Sequence, residues 1–350
     1  MRVLMIVQQL DESHWLRGFI VDWVRALAAR VDHVIVLALE QGQANLPSNV
    51  TVMSMGKEKG YSRLRELVEF YRGVGRVIGQ VDVIFSHMTP RYTWLAAPLA
   101  MLYRKSQMLW FIHPKPSLEI RAALASARWI VTATPANFPI PSPKVHALGH
   151  GLNTTRFSPN PDIPVDDPPL VLAVGRLSPI KKHEVLLEAA SLLKDKAVKF
   201  AVAGQTAAPG DDAYYAGLLR RRDELGLVEN QFVFLGNLEG ESLVNWYRRA
   251  SFITNLTPMG SFDKAALEGM LVAKPLVTSN PAFDDLLGDH QKLLRVKPDD
   301  PADLAARLSH LLTLPREDFI RIGSDLRTRT AAAHSLDHLM DRIVALVEKG

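Results

Sequence analysis

At 350 residues, with 47% hydrophobic and 22% charged positions, the chain is too long for one compact core and has the composition of an ordinary globular protein of two domains. It contains no cysteine, which excludes disulfides and thiolate metal sites and fits a cytoplasmic protein. The net charge of +4 conceals an asymmetry: residues 1–150 hold 17 Lys and Arg against 10 Asp and Glu, and the remainder holds 24 against 27. A basic half of this kind suits an anionic substrate or a membrane face. It does not suit a nucleic acid, because no nucleic-acid motif is present and no aromatic residues are interleaved with the cations.

The opening apolar run, Val3 to Val7, is too short for a signal-peptide core, and polar residues follow at once. It reads as a strand, followed by a loop, a helix to about Ala29 and a second strand at Val34 to Leu39. A short strand near Val50 to Met53 and a helix from about Ser62 to Ile78 come next. Further strands are expected at Val83 to Phe85, Met108 to Ile112, Trp129 to Thr132 and Val145 to Leu148, with a helix beginning near Arg91 and a shorter one before Trp129. The longest uncharged apolar-rich run, Tyr92 to Tyr103, falls well short of the roughly 20 residues that span a bilayer. Alternation of this kind predicts one doubly wound α/β domain over residues 1–158.

Ser158 to Pro169, SPNPDIPVDDPP, contains five prolines, which extend neither a helix nor a central strand. Residues 159–169 are therefore expected to be a linker. A second α/β domain follows over 170–334, and residues 335–350 form a terminal helix expected to pack back on the first domain. Strands are expected at Leu170 to Val174, Phe200 to Ala203, Phe232 to Leu235, Phe252 to Asn255 and Pro275 to Thr278, with helices between them and over most of Pro301 to Lys349. The first two of these strands, with the stripe Val185, Leu186, Ala189, Leu192 and Leu193, make a βαβ unit.

Uninterrupted apolar strands mean a sheet covered on both faces, whose ligands sit beyond the strands' C-terminal ends. Arg176 and Lys181 lie in the loop at such an end, beside a helix N-terminus, an arrangement suited to a diphosphate. As isolated features they read equally well as solvated loop charges. Neither half contains G-x-G-x-x-G or G-x-x-x-x-G-K-[ST], and no Asp-x-Asp pair is present to hold a metal-diphosphate. A bound nucleoside diphosphate would be neutralised by the protein's own cations, with no metal and no cofactor.

Four segments, in order across nearly the whole chain, resemble the retaining, nucleotide-sugar-dependent glycosyltransferases of family four, with the GT-B fold. VHALGHGLNTTRFSP is similar to the segment closing that family's first domain, and VLAVGRLSPIKKHEVLLEA to its strand, basic loop and helix. FVFLGNL resembles its base-binding turn and SFDKAALEGMLVAKPLV its acidic signature. The resemblance implies two Rossmann-like doubly wound domains facing a central cleft, the acceptor held by the first and a UDP- or GDP-sugar by the second. It further implies that Arg176 and Lys181 bind the diphosphate, that Glu268 accepts hydrogen bonds from the ribose hydroxyls, and that Gly236, Asn237 and Leu238 meet the base through their backbone. Gly175, and the loop Gly260, Ser261, Phe262 and Asp263, complete the implied donor site, the loop facing the second phosphate and the sugar.

The chain departs from the family at two places. The signature's first Glu, which contacts sugar hydroxyls, is replaced by Gly260, and Asp263 stands where the pattern has Gly. Asp263 is read as the N-cap of the following helix, with the missing carboxylate as its alternative role. After the first strand the family's Gly-Gly pair is absent and the loop reads QQLDESHWLRGFIVDW, so acceptor choice does not carry over.

Among the histidines, His113, at the end of LWFIH, matches the family's His near the reaction centre and is assigned to catalysis. His87, ending VIFSH, is evenly balanced between function and structure, and His150, in GHG, is read as structural. Residues 57–76 combine six Lys and Arg with Leu64, Leu67, Val68, Tyr71 and Val74. This pattern describes a surface helix on its own sheet, with peripheral contact to an anionic membrane as the second reading.

The function expected is metal-independent retaining transfer of a hexosyl or N-acetylhexosaminyl group to a hydroxyl of a glycan, glycolipid or small molecule, in polysaccharide or glycolipid biosynthesis. The alternative is a non-catalytic sugar-nucleotide-binding protein, favoured by Gly260, with a sugar-nucleotide epimerase a weaker third.

Overall fold

The computed structural model describes residues 1–350 apart from residues 15, 16, 114, 259 and 261. The chain divides into two units, Met1–Asn153 with Ala333–Gly350, and Thr154–Ala332.

The first unit is built on seven parallel strands: β1 (Arg2–Leu10), β2 (His33–Gln41), β3 (Val50–Ser54), β4 (Val83–His87), β5 (Ser106–Trp110), β6 (Trp129–Thr132) and β7 (Val145–Ala147), in the order β3-β2-β1-β4-β5-β6-β7. β1 shows why the central strands are apolar throughout. Val3, Met5 and Val7 pack with Trp23, Val24 and Leu27 on one face, and Leu4 and Ile6 pack with Phe70, Val74 and Ala96 on the other. From β1 to β2 the chain moves toward one edge, and from β3 onward it crosses toward the other. Right-handed crossovers therefore set the helix Phe19–Ala28 on one face, and the helices Arg63–Val77, Pro90–Leu102 and Leu118–Ser126 on the opposite face. The terminal helix Leu336–Glu348 lies on the Trp23 side, with Leu336, Leu339, Met340 and Ile343 buried in that core.

The second unit has five parallel strands, β8 (Leu170–Val174), β9 (Lys199–Ala203), β10 (Phe232–Gly236), β11 (Phe252–Asn255) and β12 (Leu276–Thr278), in the order β10-β9-β8-β11-β12. The order turns outward on either side of β8, so the loops after β8 and β11 diverge at a switch point. The long helix Arg316–His334 runs across the division between the units.

Two boundaries differ from the sequence reading. The proline-rich stretch is not a free connection, because it lies inside the second unit and is strapped to the helix Gly240–Arg249. Arg249 pairs with Asp166 at 2.8 Å, and Arg248 donates to the Ser158 carbonyl at 3.0 Å. β5 ends at Trp110, so His113 lies three residues past the strand instead of at its tip. Among the described residues no helix is long and apolar enough to cross a membrane.

Candidate functional site

The loop after β8 is pinned by the backbone of its neighbours. Gly175 N–H donates to Ala203 O at 2.9 Å, and Leu177 N–H donates to Gln205 O at 3.0 Å. The approach is close enough that a Cβ on Gly204, whose φ is +157°, would lie 1.8 Å from the Gly175 carbonyl oxygen, so only glycine fits there. The loop then makes a short 3-10 turn at Pro179–Lys181 and enters the helix His183–Leu192.

His183 holds that loop from beneath. Its side chain is buried, and Nε2 lies 3.1 Å from the Arg176 carbonyl oxygen. A carbonyl only accepts, so Nε2 carries the proton. Burial lowers the ring's pKa to about 4, leaving it neutral at physiological pH, with the Arg176 hydrogen bond opposing the shift. The His183 backbone N–H donates to the Tyr214 hydroxyl at 3.0 Å, and that hydroxyl donates to Glu184 at 2.5 Å. The Arg176 side chain is exposed and Lys181 is half-buried.

Lys181 pairs with Asp263, whose same oxygen, Oδ2, accepts from Asn255 Nδ2 at 2.9 Å. This corrects the N-cap reading. Asp263 occupies the N-cap position of the helix Lys264–Leu271, but its side chain caps no backbone N–H. A lysine ammonium is the stronger partner for a carboxylate than a backbone amide, and it draws the side chain away. Asn255 ends β11 and is itself fixed, its carbonyl accepting from Thr278 Oγ1 at 2.8 Å and Ser279 N–H at 3.1 Å. Lys181, His183, Asn255 and Asp263 line one small cavity at the strand ends.

Glu268 is buried on the same helix, one turn beyond Lys264, whose Nζ lies 3.9 Å from Oε1. Burial raises its pKa, while Lys264, Arg156 and the Tyr247 hydroxyl oppose the rise. That hydroxyl lies 2.8 Å from the Ala265 carbonyl and 3.3 Å from Glu268 Oε2. Of the remaining donor-side residues, Gly236 O accepts from Gly204 N–H at 2.8 Å and Asn237 bonds Glu239, while Leu238 is half-buried. Gly260, at φ +124°, is exposed, and Phe262 packs edge-on to Phe283 at 5.0 Å. Ser261 lies outside the described residues.

The structure thus joins Lys181 to Asp263 directly and leads from Asp263 along one helix to Glu268. His113 belongs to the first unit, where it is exposed and its Nδ1 accepts from Lys115 N–H at 3.2 Å. His87 is buried, 4.6 Å ring to ring from Trp23, and His150 donates through its backbone to His334 at 3.3 Å. His183, Tyr214, Asn255 and Tyr247 were not anticipated. Asn255 carried a signal, as an amide side chain at the C-terminal end of a strand; the others gave none.

The model of the Glycosyl transferases group 1 family matches residues 168–314. The D-inositol 3-phosphate glycosyltransferase of Mycolicibacterium smegmatis is 29% identical over 175 residues, covering 50% of this chain and 39% of that protein. Its namesake from Thermomonospora curvata is 31% identical over 183 residues, with 50% and 41% covered. The chain spans about two fifths of the length of these curated relatives. HepE of Anabaena, solved with UDP, aligns over 100% of both chains with a TM-score of 0.76 at 16% identity. Sucrose-phosphate synthase of Thermosynechococcus elongatus aligns over 100% of this chain and 98% of its own, with a TM-score of 0.72 at 17% identity. Likeness at such identity speaks for fold alone: the chain has the α/β GT-B fold, and its residues 168–314 match the model of the glycosyl transferases group 1 family.

Proposed function

We propose that the protein is a retaining glycosyltransferase that moves a hexosyl or N-acetylhexosaminyl group from a UDP- or GDP-sugar to an acceptor hydroxyl without a metal ion. One observation carries this reading. The loop bearing Arg176 and Lys181 is fixed at the end of β8 and tied through Asp263 to the N-terminus of the helix that buries Glu268. The structures of HepE with UDP and with UDP-glucose favour uridine as the base.

The acceptor oxygen attacks the anomeric carbon on the face from which the diphosphate departs. The bond from that carbon to the phosphate oxygen breaks, and the released oxygen takes the acceptor proton. Negative charge grows on the diphosphate as the bond lengthens, so Arg176 and Lys181 stabilise the transition state more than the ground state. Lys181 exchanges the Asp263 carboxylate for a phosphate oxygen in doing so. Glu268, beside Lys264 and Arg156, accepts from two ribose hydroxyls, while the Gly236–Leu238 turn meets the base. His113 supports the acceptor side. We also infer peripheral contact with an anionic membrane through residues 57–76, whose helix presents its cations outward.

Replacing Arg176 or Lys181 by Ala is expected to lower the transfer rate on the order of 100-fold or more, measured as nucleoside diphosphate released in the presence of acceptor. Near wild-type rates in both variants would overturn the assignment. Thermal melting against UDP, GDP and their sugar conjugates tests the anchor. Ligand at 100 times its dissociation constant stabilises by about 2.7 kcal/mol, and Glu268→Ala is expected to abolish the shift. Gly260, which lacks the signature carboxylate, favours the reading of a binding protein without turnover. Slow hydrolysis of the donor in the absence of acceptor separates the two, since a pure binder releases no nucleoside diphosphate.

A further inference from the structure

Among the described residues, every exposed large apolar side chain of the first unit lies on the three helices that share one face of its sheet, or directly beside them. Leu64, Val68 and Tyr71 belong to the helix Arg63–Val77; Trp94, Met101 and Leu102 belong to Pro90–Leu102. Tyr103 follows that second helix and Leu118 opens the third, Leu118–Ser126. Leu64, Met101 and Leu118 are 73%, 79% and 84% exposed, far beyond what packing on the sheet requires.

The three helices form one continuous surface. At their first ends, Arg63 and Glu66 line a cavity together with Arg91, Trp94 and Glu119. At the far ends of the first two, Tyr103 lies 3.9 Å from the position a Cβ on Gly79 would take. The two helices therefore run side by side, with Tyr71 donating to the Leu95 carbonyl at 3.2 Å midway. The first is 15 residues long, about 22 Å, so the apolar tips are spread over a broad face.

The same surface is basic. Residues 57–126 hold 11 Lys and Arg against five Asp and Glu. Glu119 is paired with Arg91 at 2.7 Å and Glu69 with Arg72 at 2.9 Å. Arg63, Arg76 and Arg104 are exposed and have no carboxylate partner among the described residues. A second copy of this chain would bring like charges together, whereas an anionic bilayer offers both an apolar layer and the opposite charge.

We propose that these three helices are one docking surface for an anionic lipid bilayer, with Leu64, Trp94, Met101, Leu102 and Leu118 entering the headgroup layer and the cations resting against lipid phosphates. The proposal rests on the membrane contact inferred for residues 57–76 and extends it to two helices whose sequence carries no basic amphipathic pattern. It does not depend on glycosyl transfer.

The test is co-sedimentation of the full chain with vesicles of phosphatidylcholine, with or without phosphatidylglycerol. Binding is expected only with the anionic lipid and is expected to weaken as salt rises. Three double variants are compared: Leu64→Asp with Val68→Asp, Met101→Asp with Leu102→Asp, and Arg104→Glu with Lys105→Glu. All these positions are at the surface, and unchanged melting confirms that each variant folds. Each pair is expected to weaken binding by about tenfold or more, the first two by withdrawing apolar side chains from the headgroup layer and adding carboxylates, the third because each basic residue near such a surface contributes about 1 kcal/mol. Loss in the first pair alone would leave the helix Arg63–Val77 as the contact and overturn the three-helix surface. Equal binding to neutral vesicles, or none to either, would overturn both. Self-association of the wild type abolished by Met101→Asp with Leu102→Asp would make a second copy the occupant and the bilayer proposal wrong.

Discussion

Asp263 places a carboxylate on one of the two cations proposed to meet a diphosphate. A free nucleoside diphosphate carries one more negative charge than its sugar ester. At about 5 Å and an effective dielectric of about 20, one extra charge beside Asp263 costs roughly 3 kcal/mol before screening. Asp263→Asn, which keeps the side chain's shape and its capacity to accept from Asn255, is expected to tighten UDP by about tenfold more than UDP-glucose. Calorimetric titration of both ligands measures that ratio, and equal changes in the two would mean the carboxylate moves clear when ligand binds. None of this was legible in the sequence. Lys181 and Asp263 are 82 residues apart, and a local rule assigns an Asp at a helix start to capping because that rule cannot see a distant ammonium. Arg176 and Lys181 were legible as a pair because the strand, the turn and the helix around them are themselves local patterns.

Elements were easier to read than residues. β1 and β8 to β11 announce themselves as apolar runs, since a strand covered on both faces has no polar alternation to confuse it with a helix. The proline-rich strap misled, because proline reports only that a segment is neither helix nor central strand, and its attachment comes from Arg248 and Arg249 on a helix far along the chain. The join between β8 and β9 makes a sharp prediction. Gly204→Ala would force a Cβ against the Gly175 carbonyl at a distance no real contact shows, so the two strand ends must separate. A loss of about 2–4 kcal/mol is expected, read as a lowered urea midpoint, and nucleotide binding should weaken with it because the Arg176 loop moves. Gly210→Ala, at a positive φ but in open space, is expected to cost only about 1 kcal/mol.

In each unit burial holds down the pKa of one histidine among the described residues. Burial lowers the pKa of His183 in the second unit, and of His334 in the first, to about 4 in each case. Both values lie below the unfolded value near 6.5, so the unfolded chain binds the extra protons first. The stability these residues contribute is complete above pH 6.5 and is lost as pH falls toward 4, by about 3 kcal/mol for each histidine. Urea unfolding at pH 7 and pH 4.5 should show the loss, and His183→Gln should reduce its pH dependence by about half.

The order of the chain also constrains how the molecule is made. The terminal helix Leu336–Glu348 supplies Leu336, Leu339 and Met340 to the core around Trp23, yet it is separated from that core's strands by the whole of the other unit. During synthesis, Thr154–Ala332 can emerge and fold while the earlier unit still exposes the apolar groove that this helix fills. The first unit to be translated is thus the last to be completed. Until the helix Leu336–Glu348 arrives, the nascent chain leaves the apolar surface beside Trp23 uncovered.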